Sequence, residues 1–264
     1  MEKMRGESLM YSTSKLLRHA LLAASVILVF AANAQAGAKK SGDGWTFEIT
    51  PYLWIAGLNG TVGASERLPP ADIDVSFSDI FSHLKFAAYV VAEARHERFG
   101  ILADIEYAKL TADSSRFTPL GQAQLEVKSF NSTIEGAYRF VDTPSFMLDG
   151  LAGVRIFSVE NQLSFGFLPN RSASSSNTWV DPVIGIRVIV PIRSGFFVNG
   201  YGDVGGFGIS ADWTWEIYGG VGYNFNDSIT GYAGYRYLDV DHQDGGFIYD
   251  VSQRGPLIGV GFRF

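Results

Sequence analysis

From Trp45 to the C-terminal Phe264, apolar residues recur at every second position in long runs broken by turn signals. No convincing stretch of helix length carries the 3.6-residue period. A chain patterned this way folds as sheet, with one apolar and one polar face per strand. In the clearest run, Ile101, Ala103, Ile105 and Tyr107 share one face and Asp104 and Glu106 the other. Just before it, Phe86, Ala88, Val90, Ala92 and Ala94 oppose Lys85, Glu93 and Arg95. Further on, Val180, Ile184, Ile186, Val188, Val190 and Ile192 alternate with Asp181, Gly185 and Arg187. The last run sets Ile258, Val260, Phe262 and Phe264 against Gly259, Gly261 and Arg263. The pattern predicts about ten strands, near 45–58, 84–96, 100–111, 122–141, 146–165, 178–193, 196–210, 213–226, 229–241 and 248–264. An even number returns both chain ends to one side of a closed sheet.

The connections sort by length. Those at 96–100, 142–145, 193–195 and 226–228 are tight, while those at 59–83, 112–121, 166–177 and 242–247 are longer and polar. Short and long alternate along the chain, as in a closed antiparallel transmembrane β-barrel with short periplasmic turns and long outer loops. In the first long connection Ser78 could cap a helical turn burying Ile80, Phe81 and Leu84, either as a plug in the barrel mouth or within an extended hairpin above the membrane. The serine run 172–176 reads as a surface loop. The glycines at 200, 202, 205, 206 and 208 form no phosphate-binding loop, because no helix follows them.

Composition decides which face meets what. A net charge of −6 argues against nucleic acid as a partner, and the absence of cysteine excludes disulfides, thiolate metal sites and thiol catalysis. Mean hydropathy of +0.09 is too polar for a bundle of membrane helices. Aromatic residues gather toward strand ends on the apolar face, at Trp45, Tyr107, Phe140, Trp215, Tyr223, Phe225, Tyr237 and Phe264. An interfacial girdle requires this arrangement, so lipid belongs on the apolar side. A soluble periplasmic β-barrel carrier is the alternative, with the same alternation turned inside out.

Lys3, Arg5, Lys15, Arg18 and His19 precede the apolar run Ala20–Ala32 and then Ala34-Gln35-Ala36. A basic segment, a short apolar core and small residues flanking a cleavage point are the parts of a secretory signal peptide. The domains are then a signal peptide over 1–36, a short lead over 37–44 and a barrel over 45–264. The mature N-terminus is expected at Gly37. An intact mass of the exported protein that retains residues 1–36 would sink the secretory reading.

The C-terminal Gly259-Val260-Gly261-Phe262-Arg263-Phe264, together with the signal peptide and the ten alternating runs, resembles small bacterial outer-membrane β-barrel proteins of the OmpA-like and OmpW-like group. The segment Gly231-Tyr232-Ala233-Gly234-Tyr235-Arg236-Tyr237-Leu238, followed by Asp239-Val240-Asp241, is similar to the penultimate strand of many members. The resemblance implies the cell outer membrane as location, with its lipid and lipopolysaccharide as surroundings. It also implies the barrel-assembly machinery as a partner, with Phe262 and Phe264 as the assembly signal. Ten strands depart from the eight of OmpA-like barrels, and a shared fold says little about activity.

The polar face places Glu48, Lys85, Glu93, Arg95, Asp104, Glu106, Glu135, Arg139, Asp149, Arg155, Asp181, Arg187, Asp203, Glu216, Arg236 and Arg263 in the interior. Acids and bases are near balance there, which points to a cross-linked ion-pair network plugging the barrel, with a charge-lined pore as the other reading. Of the histidines, His242 beside Asp241, with Asp239 and Asp244 nearby, suggests a general base of a barrel enzyme acting on lipid A or peptides. Adjacent strand residues point to opposite faces, so Asp241 cannot orient His242, and a solvated loop histidine is expected instead. No catalytic residue, metal or cofactor is assigned. The expected role is structural, surface-binding or passage of a small solute.

Overall fold

The computed structural model describes residues 44–63, 70–118, 121–165 and 172–264. The expected signal peptide, residues 1–36, lies outside them. The chain runs through β1 (Trp45–Trp54), β2 (Gly57–Gly63), β3 (Ala71–Val75), α1 (Phe77–His83), β4 (Leu84–His96), β5 (Phe99–Thr118), β6 (Gly121–Thr143), β7 (Phe146–Phe165), β8 (Ser172–Pro191), β9 (Phe196–Gly205), β10 (Trp213–Asn224), β11 (Ile229–Asp244) and β12 (Phe247–Arg263). Ten of these strands, β1 and β4 to β12, pair antiparallel in chain order. The sheet closes where β12 pairs with β1, from Glu48 opposite Arg263 to Trp54 opposite Leu257.

The two additional strands lengthen the first hairpin. β2 carries β1 onward along the outer half of β12, from Gly57 opposite Arg254 to Gly63 opposite Ile248. Between them the strand bends at Ile55, whose N–H donates to the Pro256 carbonyl at 2.8 Å. Gly255 permits this approach, because a Cβ there would strike the Ile55 carbonyl. β3 folds back on β2, and α1 then leads into β4.

The cap of α1 is Ser76, whose Oγ accepts the Asp79 N–H at 3.3 Å, so Ser78 is not the cap. None of the helix residues is buried. The first connection is therefore a hairpin followed by a helical turn in which Ile80 and Phe81 are half-buried.

The other outer connections shrink because their strands continue. Ser172–Ser176, expected as a loop, opens β8 and pairs with Ser164–Glu160 of β7. Beyond the membrane both faces of a strand are wet, so the apolar period that reveals a strand disappears while its backbone pairing persists. The rim is uneven: β5 to β8 stand tall, whereas β9 and β10 stop at Gly205 and Trp213.

The outward face supplies the lipid belt. Ile101, Ile105, Ile134, Ile184, Ile186, Ile217, Val221 and Ile258 are all exposed. A solvated surface would not carry so many large aliphatic side chains in one band. On β5 the band runs from Phe99 to Tyr107, about 27 Å of strand at ~3.4 Å per residue. At the usual tilt this fits an apolar band of roughly 25 Å once the flanking rings are included. One step outward the same face turns polar. Lys109 meets Glu126 at 2.9 Å and Lys128 meets Glu160 at 3.1 Å. The hydrogen bond to Glu160 raises the Lys128 ammonium above its ordinary pKa.

At the turn end, Phe47 and Phe264 exchange backbone hydrogen bonds of 3.0 Å and their rings stack at 6.2 Å. The last residue thus seals the β1–β12 seam at the periplasmic interface, where an unpaired edge would face hydrocarbon. Deleting Phe264 is expected to leave export intact and to slow insertion, seen as unfolded protein accumulating in the periplasm. Normal abundance of a folded, soluble truncation there would contradict this.

Candidate functional site

Inward residues follow from strand parity, and closure then sets them facing one another across a narrow lumen. At mid-height Arg155 of β7 is fully buried. Its Nη2 donates to Asp203 of β9 at 2.5 Å and to Glu216 of β10 at 3.1 Å. Its Nε and Nη1 donate to the hydroxyls of Thr133 and Thr214 at 2.9 and 3.2 Å. Arg236 of β11 donates through Nη2 to the same Glu216 at 2.8 Å and through Nη1 to Asp104 of β5 at 2.9 Å. Nη1 also reaches Glu106 at 2.5 Å, and the guanidinium lies 4.6 Å above the Trp54 ring. The Tyr52 hydroxyl sits 2.8 Å from Asp104 and 2.9 Å from Glu106. Tyr201 joins Glu135, at 3.0 Å, to Asp203. This tier ties seven strands together across the lumen.

A second tier lies toward the turns. Asp149, almost fully buried, receives Arg95 Nη2 at 2.8 Å, Arg139 Nε at 2.8 Å and Arg187 Nη2 at 2.6 Å. Glu93 takes Arg95 Nε and Arg187 Nη1, each at 2.7 Å. Arg263 meets Glu48 at 2.8 Å, and the Tyr232 hydroxyl donates to Glu48 at 2.6 Å. Between the tiers a cavity of about 810 Å³ extends to the turn end, with Thr46, Arg193 and Arg263 among its lining residues.

Toward the outside the interior changes character. Trp54, Phe157, Val159, Trp179, Leu238 and Val240 form a buried apolar cluster inside the barrel. Trp179 stacks on Phe157 at 5.0 Å and on His242 at 4.2 Å. The β9–β10 connection folds over this cluster. Ala211 is fully buried and donates its N–H to Asp181 Oδ1 at 2.7 Å. The Ser210 carbonyl lies 2.8 Å from His242 Nδ1.

The structure therefore joins thirteen of the sixteen proposed interior residues through ion pairs, and Glu135 through Tyr201. Lys85 is a correction. It is exposed at the outer end of β4, where a bulge between Leu84 and Phe86 shifts the parity used to place it inside. Asp181 is a second. It is buried, accepts the loop N–H of Ala211, and makes no ion pair among the described residues. His242 is a third, being stacked inside the barrel and not solvated. Asp241 lies on the opposite face, as adjacency requires.

Sequence reasoning passed over Tyr52, Thr133, Tyr201, Thr214 and Tyr232, which complete the network. They share the inward parity of their charged neighbours, and that parity was the available signal. It passed over the aromatic plug as well, whose Phe157 and Trp179 share the inward parity of Arg155 and Asp181.

No protein-family profile matches the chain, and no curated protein matches it. Among solved structures it is similar to the outer-membrane protease OmpT from Escherichia coli, at 10% identity over 87% of this chain and 99% of that one, with a TM-score of 0.51. The translocator domain of the autotransporter NalP from Neisseria meningitidis aligns at 10% identity, covering 93% and 98%, with a TM-score of 0.44. Ail of Yersinia pestis aligns at 15% identity, covering 84% and 99%, with a TM-score of 0.38. By its closed ten-stranded sheet, shared with OmpT, and its apolar outward belt, this chain has the fold of an outer-membrane β-barrel.

Proposed function

We propose that the protein is a non-conducting barrel whose role is structural or exerted at its surfaces, and that it is not an enzyme. The observation that carries this reading is the mid-height tier. Arg155 and Arg236 bond across the lumen to five strands, and an apolar plug backs them on the outer side. An open path for solute would require breaking several charge-assisted bonds at once. The tall β5–β8 wall, with its alternating lysines and carboxylates, is the surface offered to the exterior. His242 is committed to a stack and a carbonyl, which supports a packing role for it. We retain the expected signal peptide over 1–36 and assembly by the barrel machinery as parts of this proposal.

Planar-bilayer recording tests it. The wild-type protein is expected to show no steady conductance, whereas Asp104→Ala and Arg187→Ala should lose stability and leak. A persistent wild-type channel, whose ion selectivity changes in these variants while their stability does not, would replace the plug with a pore.

A further inference from the structure

We infer that the periplasmic half of the lumen is a binding site for a small organic monoanion carrying an apolar body about the size of an aromatic ring. The cavity of about 810 Å³ falls within the range of small-molecule sites, ~300–1,000 Å³. Arg236 and Glu216, bonded to each other at 2.8 Å, are among its lining residues, so on the plugged-barrel reading a solute entering from the turn end is held and not conducted.

The anion follows from a count of donors and acceptors. In the turn-side tier, every carboxylate oxygen of Glu48, Glu93 and Asp149 already accepts a hydrogen bond. Donors are left over. Arg95 Nη1 is buried without a partner. Arg193, at the rim, is exposed and makes no ion pair among the described residues. Arg263 keeps 39% of its side chain exposed. Five guanidinium groups thus face four carboxylates, Asp142 included at 3.8 Å from Arg139 Nη1, and the shortfall is one of negative charge.

The apolar body follows from Leu102, Ile189, Pro191, Phe197 and Tyr218, which line the same cavity between the arginines. The single charge follows from the deep end. Asp104, Glu135 and Glu216 sit there, and a second negative group would be pushed out. The ligand enters body first and leaves its anionic group among the arginines of the mouth.

Titration calorimetry on the full barrel in detergent micelles, blanked against empty micelles, tests this with three probes. Phenylacetate is expected to saturate one site per barrel. Benzylamine, with the same ring and the opposite charge, and acetate, with no ring, should bind at least ten-fold more weakly. The double variant Arg193→Gln/Arg263→Gln should weaken phenylacetate about ten-fold, and Ile189→Trp, which fills the cavity, should abolish its binding. If Ile189→Trp does not fold, Thr46→Trp at the mouth takes its place. Absence of saturable phenylacetate binding, equal binding of benzylamine, or unchanged binding in the filled cavity would overturn the inference. None of these outcomes bears on conductance, so the plugged-barrel reading stands or falls separately.

Discussion

Arg155→Ala is expected to cost about 3–5 kcal/mol of barrel stability, the range for stripping one partner from a buried charge network. The side chain is fully buried and serves two carboxylates and two hydroxyls on three other strands. Removing it leaves Asp203 and Glu216 facing each other with only Arg236 nearby, and Asp203 Oδ1 already lacks a partner. The original pair need not be strongly stabilising for this loss to be large, since an uncompensated buried charge is worse than no charge. A cycle with Glu216→Gln should show strong non-additivity, because that change removes part of what the arginine neutralised. Urea titration in lipid vesicles measures both effects. A loss below about 1 kcal/mol for Arg155→Ala would mean that water reaches this tier, and the closed lumen would have to be abandoned.

Ile186→Arg should cost about 2–4 kcal/mol, the cost of a cation at the lipid face near mid-membrane. The residue is 57% exposed, so in a soluble carrier the same change would be close to neutral. Ser174→Arg is the matched control, on the same strand but beyond the belt where β8 is exposed. Gly208 looks like a second control from its loop position, yet its φ of +69° would strain any side chain there. Equal tolerance of arginine at 186 and 174 in a folding titration would argue against the membrane belt.

Alternation within each strand was enough to name the strands, to put Arg155 and Glu216 on one face, and to put Ile105 and Ile186 on the other. It was enough because side-chain direction in a strand has period two and depends on nothing beyond the strand itself. The ordering of short and long connections likewise exposed the up-and-down topology. The partners could not be read this way. Arg155 and Glu216 are separated by 61 positions, and Asp149 collects guanidinium groups from β4, β6 and β8. Parity gives only the side of the wall, whereas barrel closure and register set the height at which side chains meet. The same limit hid the aromatic plug, since Phe157 and Trp179 share the inward face of Arg155 and Asp181 at a different height. It also hid the outer strand extensions, where both faces meet water and no apolar period remains. Period-two patterning is a local property carried by the sequence, whereas contact across a lumen exists only once the sheet has closed.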